Sequence, residues 1–134
     1  MDKLRTIAVN AAFIAIVSIV LIWGVTFYRQ YVQYEKGEKG FAAGNFTEAV
    51  AGYESAIHMY TPLSPLVDRS AQRLWDLGEM FAQRGDLPRA LIAYRELRSS
   101  IYAIAWLYSP GKEWIGKCDQ RINQILALEQ AGQK

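Results

Sequence analysis

Residues 74–94 read LWDLGEMFAQRGDLPRALIAY, and residues 33–53 read QYEKGEKGFAAGNFTEAVAGY. Gly37, Gly44, Ala49 and Tyr53 of the earlier stretch return 41 residues later as Gly78, Gly85, Ala90 and Tyr94, and Phe46 is answered by Leu87. A fixed offset shared by five positions is the sequence signature of a repeat architecture.

Each copy reads as two helices joined by a turn. In the later copy Leu74, Leu77, Gly78 and Phe81 keep the three-four spacing of one helix face. Gly85 supplies the left-handed residue that commonly ends a helix. Asp86 then caps the next helix, with Pro88 tolerated in its first turn. Leu87, Leu91 and Tyr94 form that helix's buried stripe, and Ala90 marks a close approach. In the earlier copy Gly44 stops a helix and Asn45 caps the next, with Glu48 at the capping-box position. Ala49, Tyr53, Ala56 and Ile57 are expected to face inward.

These residues resemble the tetratricopeptide repeat, whose pattern runs Leu-Gly-x-x-aromatic in a first helix, Gly at the turn, then Ala, an aromatic and a small residue in a second. The later copy matches with Leu77-Gly78, Phe81, Gly85, Ala90 and Tyr94, and departs at Leu97. The earlier copy matches with Gly37, Gly44, Ala49, Tyr53 and Ala56. It carries Gly40 where the first-helix aromatic is expected, with Phe41 next to it as a replacement. The family repeats every 34 residues. The extra length here falls in Thr61-Pro-Leu-Ser-Pro-Leu66, where Ser64-Pro65 reads as a cap followed by a first-turn proline. The resemblance covers about Tyr31 to Ile101.

The resemblance implies a concave surface lined by the first helix of each pair, here Tyr34, Glu38, Phe41, Trp75, Glu79 and Ala82. Aromatic rings at a groove suit peptide or helix recognition; packing of Tyr34 and Trp75 against neighbouring helices stands as the alternative. Family members that clamp a C-terminal carboxylate use Lys, Arg and Asn at such positions. Glu38 and Glu79 exclude that subtype and point to a neutral or basic segment.

Past the repeats, Ile101–Tyr108 is apolar and aromatic and is expected to prolong the preceding helix. Ser109-Pro110 reads as another cap with proline at the first helical position. A last helix is expected from about Gly111 to Leu128, with Trp114, Ile115, Cys118, Ile122, Ile125 and Leu126 on its apolar side. Lys112, Lys117, Asp119, Arg121 and Gln124 would form the polar outer side that a terminal cap requires. Residues 131–134 read as a tail.

Ahead of the repeats, Thr6 to Tyr28 carry no charged side chain and are mostly Ile, Val, Ala, Leu and Phe. As a helix this run spans about 34 Å, enough to cross a hydrocarbon core of about 30 Å. A cleaved signal peptide has an apolar core of about 7–15 residues and a small-x-small site. This run is longer and ends Trp23-Gly24-Val25-Thr26, so an uncleaved anchor over residues 1–28 is the expectation. Trp23, Phe27, Tyr28, Tyr31 and Tyr34 crowd the end where amphipathic rings favour the headgroup level. Lys3 and Arg5 flank one side, Arg29, Lys36 and Lys39 the other. The expected topology is a single pass in a membrane of bacterial inner-membrane type, N-terminus inside and the domain of residues 29–130 outside the cytoplasm. Ala8, Ala11, Ala15 and Ser18 share one side of the span, and small residues permit close helix packing in lipid; plain composition explains them equally well.

The whole chain has 134 residues and a net charge of +2, too weak to argue for nucleic acid. One cysteine, Cys118, excludes an internal disulfide and reads as a small core residue. His58 is the one histidine and has no cluster of ligands beside it in sequence, so no metal or other cofactor is expected. No catalytic motif is visible. The expected fold is therefore all-α: a transmembrane helix, a short array of tetratricopeptide-like hairpins and a C-terminal capping helix. The expected partners are membrane lipid and a protein, with another membrane-protein subunit among the candidates. Three functions stay open: a membrane-anchored adaptor or scaffold, a structural subunit of a larger membrane machine whose span packs against other spans, and an enzyme with an unrecognised site.

Overall fold

The computed structural model describes residues 1–105 and 109–133. Among the described residues five α-helices succeed one another: α1 (Asp2–Ala42), α2 (Phe46–His58), α3 (Leu66–Gln83), α4 (Leu87–Ile104) and α5 (Lys112–Gly132). No strand occurs among the described residues. The expected span and the first helix of the repeat prove to be one helix of 41 residues, about 60 Å long. Its first part stands free: residues 2–25 are all exposed. It is the one helix among the described residues long and apolar enough to cross a membrane.

The rest of α1 joins the domain. It packs along α2, α3 packs along α4, and α4 packs along α5, with α2 also touching α3 and α4. Both short turns are built alike. Gly44 (φ 71°) and Gly85 (φ 78°) take the left-handed conformation. The next residue's N–H reaches back to close the helix, from Asn45 to Gly40 O (2.8 Å) and from Asp86 to Phe81 O (2.9 Å). Asn45 and Asp86 then cap the second helix of each pair: Asn45 Oδ1 accepts from Glu48 N (3.1 Å) and Asp86 Oδ1 from Arg89 N (3.3 Å). The two expected caps at these positions are present.

Two other starts differ from the sequence reading. α3 begins at Leu66, one residue later than expected, with Pro65 as the flanking residue; Ser64 Oγ still accepts from Leu66 N at 3.2 Å. α5 is preceded not by a Ser109 cap but by Gly111 in the left-handed region (φ 71°). α4 stops at Ile104, where Ala105 turns extended. The remainder of the expected extension, Trp106 to Tyr108, lies outside the described residues. α5 continues to Gly132, past the expected end of the domain.

The core follows the predicted stripes. Ala49, Tyr53, Ala56, Ile57, Leu74, Ala90, Tyr94 and Leu97 are fully buried, and each large one of these contributes on the order of 1.5–3 kcal/mol. Gly40 has a steric reason. A Cβ there would lie 2.6 Å from the backbone N of Ala49, so no aromatic side chain could occupy this position. Gly52 approaches α1 closer still: its Cβ would fall 2.3 Å from Gly37 N. Its counterpart 41 residues on is Ala93, also fully buried, so the α3–α4 pair has room for the methyl that α1–α2 lacks.

Candidate functional site

The repeat in sequence becomes a repeated arrangement of side chains. Gly37 lies under the ring of Tyr53 and Gly78 under that of Tyr94; a Cβ at either glycine would come within 2.7 and 2.6 Å of the ring. Tyr34 leans on Tyr53 (centroids 5.9 Å apart) and Trp75 on Tyr94 (5.0 Å). Each tyrosine hydroxyl then donates to a glutamate one helix away, Tyr53 to Glu38 at 2.6 Å and Tyr94 to Glu79 at 2.5 Å.

An arginine from the next odd-numbered helix closes each arrangement. Arg73 of α3 places Nε 2.8 Å and Nη2 3.0 Å from the two oxygens of Glu38. Arg121 of α5 places Nε 2.8 Å and Nη2 3.4 Å from those of Glu79. Burial, then the adjoining glutamate, pushes both tyrosine hydroxyls well above their ordinary range, so they remain donors. Burial works against an ionised Glu79, but the hydrogen bonds from Tyr94 and Arg121 and the arginine's charge outweigh it and hold that carboxyl below its usual value. The ion pairs are a quarter to two-fifths exposed, so they fix register more than they add stability.

The six expected groove residues therefore do not form a set of free contacts. Tyr34, Glu38 and Glu79 are engaged within the domain. Phe41 carries the Arg73 guanidinium 5.1 Å from its ring centre, and Ala82 packs against the core. Trp75 alone of the six opens into a cleft of about 320 Å³ between α3 and α5. Trp114 forms its floor with Trp75, their ring centres 6.1 Å apart. Gln72, Gln120 and Gln124 bring three carboxamides, and Lys117 and Arg121 bring positive charge. Lys117 Nζ sits 4.7 Å from the Trp114 ring centre and has no carboxylate partner among the described residues.

Lys117, Arg121 and Gln124 thus face α3 across this cleft rather than forming an outer polar side. Asp119, from the same expected set, pairs with Arg98 of α4 at 2.5 Å. The sequence signal was present but shifted. Relative to α3, the burial pattern of α5 recurs at an offset of 48, not 41: Ser70 matches Cys118, Leu77 matches Ile125, and Arg73 matches Arg121. The second helix of the later pair is longer, 18 residues in α4 against 13 in α2, and this hides that register from a search at fixed period. Cys118 is fully buried, and burial, then Asp119, pushes its thiol up to about 12, which suits a packing role. His58 is exposed in the last turn of α2.

The expected transmembrane packing face, Ala8, Ala11, Ala15 and Ser18, is exposed along the free part of α1, with none of the described residues covering it. No protein-family model matches the chain, and no curated protein or solved structure is significantly similar to it.

Proposed function

We propose that this chain is a membrane-anchored protein-interaction module, an adaptor or scaffold built from tetratricopeptide-like helical pairs, that holds a segment of a protein partner in the α3–α5 cleft. The observation that carries the reading is the make-up of that cleft: two indoles and three exposed carboxamides beside an arginine-neutralised glutamate. Carboxamides can pair with both N–H and C=O groups of an extended chain; Gln72 already donates to Asp76 (2.9 Å) and Gln124 already accepts from Arg121 (3.1 Å), which orients the acceptor of the first and the donor of the second towards a partner. Indoles give large contact area with few rotors. Because Arg121 occupies Glu79, the cleft does not repel carboxylates, and Lys117 favours a neutral or acidic segment over the basic one that the bare glutamates suggested. Nothing in the cleft pairs a nucleophile with a base, and we assign it no catalysis.

The membrane part of the proposal is that α1 crosses the bilayer once, uncleaved, with the domain outside the cytoplasm. Its continuity into the packed domain supports an anchor over a leader, since Gln30, Gly37 and Gly40 of the same helix are buried among the other helices.

The test uses the full-length chain in detergent, with a photo-crosslinking residue at Gln120. One protein partner should crosslink, and Lys117→Glu or Gln124→Glu should abolish the adduct without altering the circular dichroism. Absence of a crosslink, or one indifferent to both changes, refutes the cleft. The second reading, an accessory structural subunit packed through its span, draws on the fully exposed Ala8–Ser18 side of α1. It predicts co-purification that survives the cleft changes and is lost on changing Ala11 and Ala15.

A further inference from the structure

The connection between α2 and α3 returns to the free part of α1. Trp23 donates its indole N–H to the carbonyl of Pro62 at 2.8 Å, across 39 residues of sequence. Ile19, Ile22, Thr26 and Thr61 join these two around a small apolar hollow. Trp23 lies five residues before the end of the uncharged run, so the contact sits about 7.5 Å back along the helix from Tyr28. The connection therefore reaches alongside the apolar segment instead of stopping short of it.

The tip of that connection has an unusual form. Ser64 N–H bonds to Thr61 O at 3.1 Å, closing a four-residue turn with Pro62 and Leu63 in the middle. Leu63 adopts φ 68°, a conformation that favours Gly or Asn at this place. It is the one non-glycine residue with positive φ among the described residues, and it is 96% exposed. A strained, fully exposed leucine is costly in water twice over, by backbone and by side chain. Both costs have a purpose if the tip is not in water.

Most of the polar groups nearby are paired or missing, which lowers the cost of a dehydrated setting, where unpaired backbone groups are penalised; the Leu63 N–H has no partner among the described residues. Pro62 and Pro65 have no N–H to satisfy. The Ser64 N–H is taken by Thr61 O and that of Leu66 by Ser64 Oγ. The Pro62 carbonyl and the Trp23 indole satisfy each other. Away from the tip the surroundings turn polar: Asp68 and Glu113 line the groove behind it, and Arg69 and Lys112 lie in the same first helical turns. Opposite charges there occur in adjacent pairs, which offers no electrostatic attraction and confines any lipid contact to the turn itself.

We propose that the turn Thr61–Ser64 is a second, shallow membrane contact, with Leu63 inserted at the edge of the hydrocarbon of the bilayer that α1 crosses. The occupant of this apolar tip is lipid, by continuity with the span to which Trp23 ties it. The proposal rests on reading α1 as a membrane span. Two points of attachment fix the tilt of the domain, setting the α2–α3 connection against the surface and directing the turns at Gly44 and Gly85 away from it.

The test uses the full chain carrying Cys118→Ser and one further cysteine, at Leu63, at Ala43 in the distal turn or at Ile14 within the span. Each variant is labelled with the same environment-sensitive fluorophore and reconstituted into phosphatidylcholine–phosphatidylglycerol vesicles (3:1) containing lipids spin-labelled at the headgroup or at carbon 5 of the acyl chain. The fluorophore at Leu63 should emit blue-shifted light and be quenched at least twofold more by the carbon-5 label than the one at Ala43, which should report water. Adding Trp23→Phe should move the Leu63 signal towards that of Ala43. A buried signal at Ile14 together with a water-like signal at Leu63 overturns the insertion and leaves the span standing. A water-like signal at Ile14 overturns the span and the insertion with it.

Discussion

Among the glycines the tightest helix contact lies where Gly52 of α2 crosses Gly37 of α1, and Gly52→Ala probes it directly. The added methyl would sit 2.3 Å from Gly37 N, 2.5 Å from its Cα and 2.9 Å from Gln33 O. Ordinary contact begins near 3.4 Å, so the shortfall is about 1 Å, and it is against backbone that no rotamer change can clear. Overpacking of this kind costs about 1–3 kcal/mol, and a clash with main chain belongs at the upper end. Alanine recovers about 1 kcal/mol of helix propensity over glycine. The net loss is about 2 kcal/mol, roughly a thirty-fold fall in the ratio of folded to unfolded protein. Gly116→Ala, on the exposed side of α5 with open space around it, serves as the control. It should gain up to about 1 kcal/mol from the same propensity difference. The assay is urea denaturation of the full chain in a mild detergent, monitored by tryptophan fluorescence. If Gly52→Ala matches or exceeds the wild type while Gly116→Ala behaves as stated, the α1–α2 crossing is not as close as described, and the steric reason for Gly37, Gly40 and Gly52 fails with it.

Ala49→Leu and Ala90→Leu should each lose about 1–3 kcal/mol, because both alanines are fully buried where helices meet; unchanged melting temperatures in both would remove them from the interfaces. Tyr94→Phe should cost about 1–2 kcal/mol by withdrawing a hydrogen bond from an ionised carboxylate that Arg121 still partly satisfies, and equal stability of the variant in urea would show that this hydroxyl contributes nothing. Burial, then the neighbouring Glu54 charge, raises Glu96 in the folded state, partly offset by His58. The folded chain then binds this proton more tightly than the unfolded one, so stability should rise as pH falls from neutral through that raised value towards the unfolded value of about 4.3. Glu79 has the opposite sign, its contribution being lost as pH falls below about 4.3 through its lowered folded value. Glu96→Gln should flatten the first slope in urea midpoints measured from about pH 4 to 7, and a slope unaltered by that change assigns the effect elsewhere. Replacing both Ala11 and Ala15 by Ile should release a co-purifying membrane partner if the span packs through that side, whereas the control changes Ile14→Leu and Val17→Leu should not; retention in every variant makes the small stripe plain composition.

Features set within one or two helical turns are legible in the sequence alone. An uncharged run of sufficient length specifies a membrane-length helix. Gly44 and Gly85, each with Asn45 or Asp86 next in line, specify where helices end and begin, because the left-handed residue and the cap act on neighbouring backbone groups. The three-four spacing of Leu74, Leu77 and Phe81 marks one helix face, and all three are buried in the core. Other features depend on how helices of different length come into register, and these only packing settles. Glu38 and Glu79 read as groove charges, yet each is occupied by an arginine 35 or 42 residues away in sequence. α5 reads as a cap with a polar outer side, yet the greater length of α4 shifts its register so that Lys117, Arg121 and Gln124 line the cleft. Gly40 read as a missing aromatic, and only the 2.6 Å between its absent Cβ and Ala49 N explains it. Local signals act through the chain's own hydrogen bonds, whereas these pairings act through space, between groups that the folded packing alone brings together.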